Sequence, residues 1–408
     1  MKKLLTFIQK GIFILVCLQA SNGYAQNLNF RHLTIDHGLS QNAVYSILQD
    51  SQGFMWFGTK DGLNRYDGRN FVVYQHNPFD STTISDAYVT KLLEDRHGDI
   101  WTGGLSGDVN VLNTETELFC KIPLENESGK KITTNEITEI TEGPDGAIWI
   151  ATKGDGLIKI LADDKNGCNY NFKQFLHDPA DDRSLSSNRV GNLFFDEHQT
   201  LWIGTEEGLN QFHENSESFA RTVFATRHPD APTSSGEHKI TAMHLSLAGD
   251  FWIGVQSGLV KFDRYSGNYE FYPNRYEVFE YGWGSVHRIV EDHNGHLWLG
   301  TVAGLMRFDP STKQFSYYRN DPLNSQSLSY NIISSLLIDK TGILWVGTSG
   351  LGINILDFKA DRFPTLVRTP DPRSRITGFS IRSILEDNSG ESGSARMYST
   401  AGTGKPGS

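Results

Sequence analysis

A phrase that reads Gly-x-x-Trp-x-Gly-Thr in its fullest copies recurs seven times along this chain of 408 residues. Its tryptophans are Trp56, Trp101, Trp149, Trp202, Trp252, Trp298 and Trp345, at intervals of 45, 48, 53, 50, 46 and 47 residues. A period of this length marks a repeat architecture in which each unit buries its apolar faces against its neighbours. The first copy, Val44 to Phe71, reads VYSILQDSQGFMWFGTKDGLNRYDGRNF. Val44, Ile47 and Leu48 open a short apolar strand, and Asp50 to Gly53 make a turn in which Asp accepts local N–H bonds and Gly takes a positive φ. Trp56 lies on a second strand closed by Gly58 and Thr59. A tight turn at Asp61-Gly62 leads to a third strand, Leu63 to Tyr66, and a short aromatic strand follows around Phe71 to Tyr74.

Four hairpin-linked strands in roughly 47 residues are one blade of a β-propeller. The expected fold is therefore all-β, a seven-bladed β-propeller with four-stranded antiparallel blades at about 42–74, 88–120, 135–175, 188–224, 238–272, 285–318 and 331–363. Phe30 to Ile35 has strand character and is placed to supply the outer strand of the last blade, leaving no open edge. The seven tryptophans read as wedges between blades, with the Gly two residues later permitting close packing. The Asp of the turn is lost at Gly143 and Ser246 and falls far short of a calcium loop, so it reads as a turn residue.

The 40 glycines against 13 prolines, with 12% aromatics, suit short strands and tight turns. The net charge of −11 without a Lys/Arg cluster argues against a nucleic-acid partner. Residues 1–25 read as a signal peptide: Lys2 and Lys3 form the basic region, Gly11 to Leu18 the apolar core, and Gly23-Tyr24-Ala25 the cleavage site. The mature chain is then periplasmic, with no membrane span. Cys120 and Cys168 remain, and sequence alone cannot bring them within bonding distance, so they read as unpaired structural cysteines.

The stretch HGLSQNAVYSILQDSQGFMWFGTKDGLNRYDG, His37 to Gly68, resembles the two-component-regulator propeller repeat of hybrid two-component systems in gut Bacteroidetes. The resemblance covers nearly the whole mature chain. It implies a periplasmic sensor region that detects complex-carbohydrate fragments and switches on genes for their use. Members of that family carry a signal peptide, two propellers and an immunoglobulin-like domain. A membrane helix, histidine kinase, receiver and DNA-binding helix-turn-helix then follow. This chain carries one propeller, expected over 26–368, so the resemblance implies the front portion of a sensor, with kinase activity confined to full-length members. Over 369–408 an eighth repeat opens at Ile381 to Gly390 and is interrupted where Ile-Trp-Ile-Gly-Thr is due. Codons compatible with the observed peptide encode that sequence in another frame. The expectation is a truncated product with a frame shift near Gly390 and a disordered tail.

Propellers bind ligands at a mouth of the central channel. Most loops entering the innermost strands read as ordinary surface loops, but Tyr276 to Trp283 (YEVFEYGW) is aromatic and acidic, and Trp283 alone stands outside the repeat. An indole beside carboxylates suits a sugar, stacking on its C–H face while polar groups bond hydroxyls. A buried loop, or contact with a second copy in a homodimer, are the alternatives. The candidate ligand-binding residues are Trp283, Tyr281, Tyr276 and Glu280, with His287, Arg288, Tyr45, Tyr88 and Arg189 at comparable places near the inner strands. Asn42, Asn135, Asn188 and Asn331 read as loop-to-strand caps. Glu277, Glu280, Glu291 and Asp292 stand in no catalytic motif, and no metal or cofactor signature is present. The expected function is ligand sensing without catalysis, with an oligosaccharide as partner. A protein–protein scaffold and, further off, a glycan-cleaving enzyme are the other readings.

Overall fold

The computed structural model describes residues 28–125, 130–161, 168, 170–225, 238–273, 285–359, 384–386 and 392–394. The first blade comprises β2–β5: Val44–Gln49, Met55–Thr59, Gly62–Tyr66 and Phe71–Tyr74. The second is β6–β9, Val89–Glu94, Ile100–Gly104, Val109–Asn113 and Leu118–Lys121. The third is β10–β13, Ile137–Glu142, Ile148–Thr152, Leu157–Ile160 and Phe172–Phe175. The fourth is β14–β17, Val190–Phe195, Leu201–Thr205, Gly208–His213 and Ser218–Thr222. The fifth is β18–β21, Ile240–Leu245, Phe251–Val255, Gly258–Phe262 and Tyr269–Pro273. The sixth is β22–β25, Val286–Glu291, Leu297–Thr301, Gly304–Asp309 and Gln314–Tyr318. In the seventh, β26–β28 (Ile333–Ile338, Leu344–Thr348 and Ile353–Leu356) are joined by β1, Arg31–Leu33, from the other end of the chain. All pairings are antiparallel, and the first strand of each blade neighbours the first strand of the next, including β26 against β2. The fold is the seven-bladed propeller expected.

The ring closes as the strand character of Phe30 to Ile35 predicts. Arg31, His32 and Leu33 pair with Ile355, Asn354 and Ile353. Leu33 is buried with Val44, Met55, Phe57, Trp345 and Ile353, a cluster that joins the last blade to the first.

Every residue of the second strand is buried in all seven blades, because each sheet is covered on both faces. The glycine two residues after Trp56 shows why the repeat needs it. A Cβ on Gly58 would stand 2.8 Å from the Val89 carbonyl of the next blade. Gly254 faces the Val286 carbonyl in the same way, at 2.8 Å.

The Asp of the turn has a further duty that the sequence reading missed. Asp50 Oδ1 accepts the Phe54 N–H at 2.8 Å, while Oδ2 accepts the Trp56 indole N–H at 2.7 Å. The same indole bond is made by Asp95, Asp196, Asp292 and Asp339, at 2.8–2.9 Å. In the two blades that lack this Asp, a lysine lies over the indole: Lys159 over Trp149 and Lys261 over Trp252, at 5.1 and 5.7 Å. Each lysine is paired in turn with a displaced carboxylate, Asp145 or Asp250.

Cys120 and Cys168 correct the sequence reading. They form a disulfide with a Cα separation of 5.9 Å, linking the outer strand β9 of the second blade to the β12–β13 connection of the third. The third blade docks beside the second and brings together two residues 48 apart in sequence. Closing such a loop in the unfolded chain stabilises the fold by roughly 4 kcal/mol on a chain-entropy estimate.

Residues 358–408 form a separate unit. Within it, β29 (Ile384–Glu386) pairs with β30 (Ser392–Ser394). The rest of the expected eighth repeat and tail, and the signal peptide over residues 1–25, lie outside the described residues. Among the described residues no helix is long and apolar enough to cross a membrane.

Candidate ligand site at the channel mouth

The end of the channel where the innermost strands begin is shaped by one irregularity repeated seven times. Just after the leading apolar residue of β2, β6, β10, β14, β18, β22 and β26, the register slips by one. A bulge of this kind turns a side chain out of the regular pleat. The extra residues are Tyr45, Thr90, Thr138, Gly191, Thr241, His287 and Ser334.

Four of them carry hydroxyls that link blade to blade. Thr90 donates to the Ile137 carbonyl at 2.8 Å, Thr138 to Val190 at 2.6 Å, Thr241 to Val286 at 2.5 Å, and Ser334 to Val44. At Gly191 the amide of Asn192 reaches the Ile240 carbonyl instead, at 3.4 Å. The remaining two positions hold rings, Tyr45 and His287.

Around this ring lie charged side chains from the residues before and after each bulge and from the ends of the second strands. Lys91 pairs with Glu139 at 3.1 Å and Lys153 with Glu136 at 2.7 Å. Glu206 bridges Arg189 at 2.6 Å and Lys239 at 3.1 Å. Arg288 donates to the His287 carbonyl at 2.7 Å, and no carboxylate among the described residues pairs with it. These chains share a cavity of ≈ 210 Å³ whose walls include Lys91, Glu136, Arg189, Lys239, His287 and Arg288.

The electrostatics follow from burial in a concave, cation-rich place. Burial, with the nearby Arg288 and Lys239 cations, pushes the His287 imidazole down to about 4, so it is neutral at physiological pH. Burial and Arg288 lower Lys91 to about 8, against the pull of Glu139. Burial raises the Tyr88 phenol, helped by its hydrogen bond to Tyr45, whose ring lies 4.8 Å away centre to centre. Glu206 moves the other way: Lys239 and Arg189 outweigh the cost of burial and hold its carboxyl low.

Of the sequence candidates, His287, Arg288 and Arg189 line this one cavity, and Tyr45 and Tyr88 pack ring against ring where the inner strands of the first two blades begin. Tyr276, Glu280, Tyr281 and Trp283 lie outside the described residues. Lys91, Glu136, Glu139, Lys153, Glu206 and Lys239 were missed. The signal was available: the residues next to the leading apolar position of each copy include Glu136, Arg189 and Lys239 in three successive blades. Of the expected caps, Asn188 and Asn331 act as clamps, with Asn188 Oδ1 accepting the His177 N–H at 2.7 Å and Asn331 Oδ1 that of Asn320 at 2.8 Å.

A larger cleft, ≈ 560 Å³, lies at the opposite end of the strands, among the turns of the second and third blades. Its main cation is already satisfied, because Arg96 is paired with Glu142 and bonded to the Gly143 carbonyl at 2.9 Å. Among the described residues no cluster of His, Cys, Asp or Glu could hold a metal ion.

Fold and repeat together define a closed seven-bladed propeller with a charged channel mouth. The sequence profile of the two component regulator propeller matches residues 38–61, 184–207, 281–303 and 327–350. A 73-residue stretch is 47% identical to histidine kinase P4 of Formosa agariphila, covering 18% of this chain and 5% of the kinase. The fold is similar to the extracellular domain of a hybrid two component system of B. thetaiotaomicron, with a TM-score of 0.69 at 23% identity. That match covers 90% of this chain and 46% of the solved one, so this chain spans about half the length of the domain it resembles. Virginiamycin B lyase of Staphylococcus aureus shares the fold at 15% identity and a TM-score of 0.60, over 81% of this chain and 99% of the lyase.

Proposed function

We propose that this propeller is the ligand-recognising part of a two-component regulator, exported to the periplasm and binding an oligosaccharide without cleaving it. The observation that carries the reading is the union of regulator-type repeats with a concave, ion-paired channel mouth. Bidentate and charged donors there suit sugar hydroxyls and acidic substituents. In a complete regulator, ligand would bias the arrangement of the sensor through its differential affinity for two states, and the kinase and DNA-binding parts would carry the signal onward to carbohydrate-utilisation genes. Trp283, Tyr281 and Tyr276 are proposed to extend the same site by stacking, with Glu280 bonding sugar hydroxyls.

A scaffold that contacts other proteins, a second copy included, is the other reading, favoured by Phe79 and Leu323. These are 97% exposed at the tips of two loops entering inner strands. Calorimetry against a panel of plant and host oligosaccharides separates the readings. Saturable binding with unchanged sugar is expected. Cleaved product would make the protein an enzyme, and silence across the panel would favour the scaffold.

A further inference from the structure

We infer that the channel mouth is an oxyanion pocket, taking the carboxylate or sulfate group of an acidic oligosaccharide between Arg288, Lys239 and Lys91. The inference deepens the sensing reading and rests on it for the sugar, but the anion itself is argued from the pocket alone.

The charge count is the first ground. The protein carries a net charge of −11, yet among the described residues Lys91, Lys153, Arg189, Lys239 and Arg288 meet only Glu136, Glu139 and Glu206 here. Five cations against three carboxylates make this a basic island on an acidic molecule, and concave low-dielectric walls focus such a field. Arg288 is the second ground. It is half-buried with no carboxylate partner among the described residues, and buried cations are ordinarily paired. Its planar fork is shaped for two oxygens of one anion.

The third ground is the cost of the pocket as it stands. Lys91 comes from the second blade and Arg288 from the sixth, and both line one cavity across the channel. Burial, with repulsion from Arg288, holds the lysine low. His287 beside them is neutral and has an imidazole where four other blades put a structural hydroxyl. An anion reverses the repulsion between the two cations and adds an acceptor for each. Size completes the argument. A cavity of ≈ 210 Å³ is smaller than the roughly 300–1,000 Å³ that holds a drug-sized ligand. It admits one charged substituent or one sugar unit, with the remainder of a chain outside.

The test is calorimetry on the whole protein with four probes: a galacturonate trisaccharide, a sulfated disaccharide, a neutral glucose trisaccharide and inorganic sulfate. R288Q and K239Q are compared with K313Q, which alters a cation in the turn before the outer strand β25, paired with Glu270. Thermal melting without ligand checks that each variant folds. At least one acidic sugar is expected to bind, with the neutral one tenfold weaker or worse. R288Q should weaken the acidic sugar about tenfold or more, K239Q less, and K313Q not at all. If sulfate binds with this same dependence and no sugar binds, the pocket stands and the oligosaccharide reading falls. If the neutral sugar binds as tightly as the acidic ones, or folded R288Q and K239Q keep full affinity for them, the oxyanion pocket is refuted while sugar sensing survives. Silence from all four probes refutes the pocket.

Discussion

At the scale of single residues, the repeated Asp of the turn shows how one carboxylate organises a blade. It closes its own turn and anchors a buried indole six residues on, so its two oxygens serve different parts of the sheet. Asp50 and Asp292 are almost fully buried, and the indoles they receive are buried as well. Asp50→Ala should therefore strand the Trp56 N–H and the Phe54 N–H together, costing about 2–3 kcal/mol. Asp182→Ala, at an exposed loop, should cost under about 0.5 kcal/mol. Urea unfolding of the two variants measures the contrast. Equal losses would mean that the indole bond contributes nothing. Sequence could identify the turn because Asp-x-x-Gly is local grammar. The indole bond was hidden, since it depends on how the second strand folds back over the turn.

At the scale of the element, the innermost strand is where repetition and function part company. Strand existence, order and the leading apolar residue were legible, because alternation and the turn residues are read within one copy. The mouth was legible only in part. His287, Arg288 and Arg189 stood out by their place in the strand, whereas Lys91 and Glu139 gain meaning only when blades some 50 residues apart are brought side by side. The disulfide was missed for the same reason.

The bulge also predicts a pH response. His287 is held at about 4 in the fold against about 6.5 in the unfolded chain. Between those values the unfolded chain binds a proton that the native protein refuses. Stability is thus full above pH 6.5 and declines as pH falls, by about 3 kcal/mol on reaching pH 4. Against the same carboxylate background, His287→Asn should lose this component. The stability difference between the two proteins should be flat above pH 6.5 and move in the variant's favour below it. Urea midpoints at half-unit intervals from pH 4 to 7.5 would show it, and parallel curves would refute it.

At the scale of the whole molecule, the propeller depends on β1, because a ring of paired blades has one seam. The seventh blade draws three strands from residues 333–356 and its fourth from residues 31–33. No blade elsewhere in the ring requires chain ends to meet. Phe30 N–H reaches the Gln326 carbonyl at 2.8 Å, and His32 Nε2 lies 3.0 Å from the Ser327 carbonyl, so the seam is bonded on both sides of its pairing. Leu33 is its apolar pin, buried against both the first and the last blade. Leu33→Ala should cost about 2–4 kcal/mol, within the usual range for a buried leucine. Leu118→Ala, on the exposed outer strand of the second blade, should cost little. The distinguishing readout is local. A weakened seam should speed amide exchange in β26–β28 and β2 ahead of β10–β17 on the far side of the ring, since low-stability regions open first. Uniform acceleration around the ring would instead show that the blades unfold as one cooperative unit and that the seam has no special weakness. That outcome bears on sensing too, because the cations of the mouth come from the second to sixth blades and keep their spacing only while the ring stays closed.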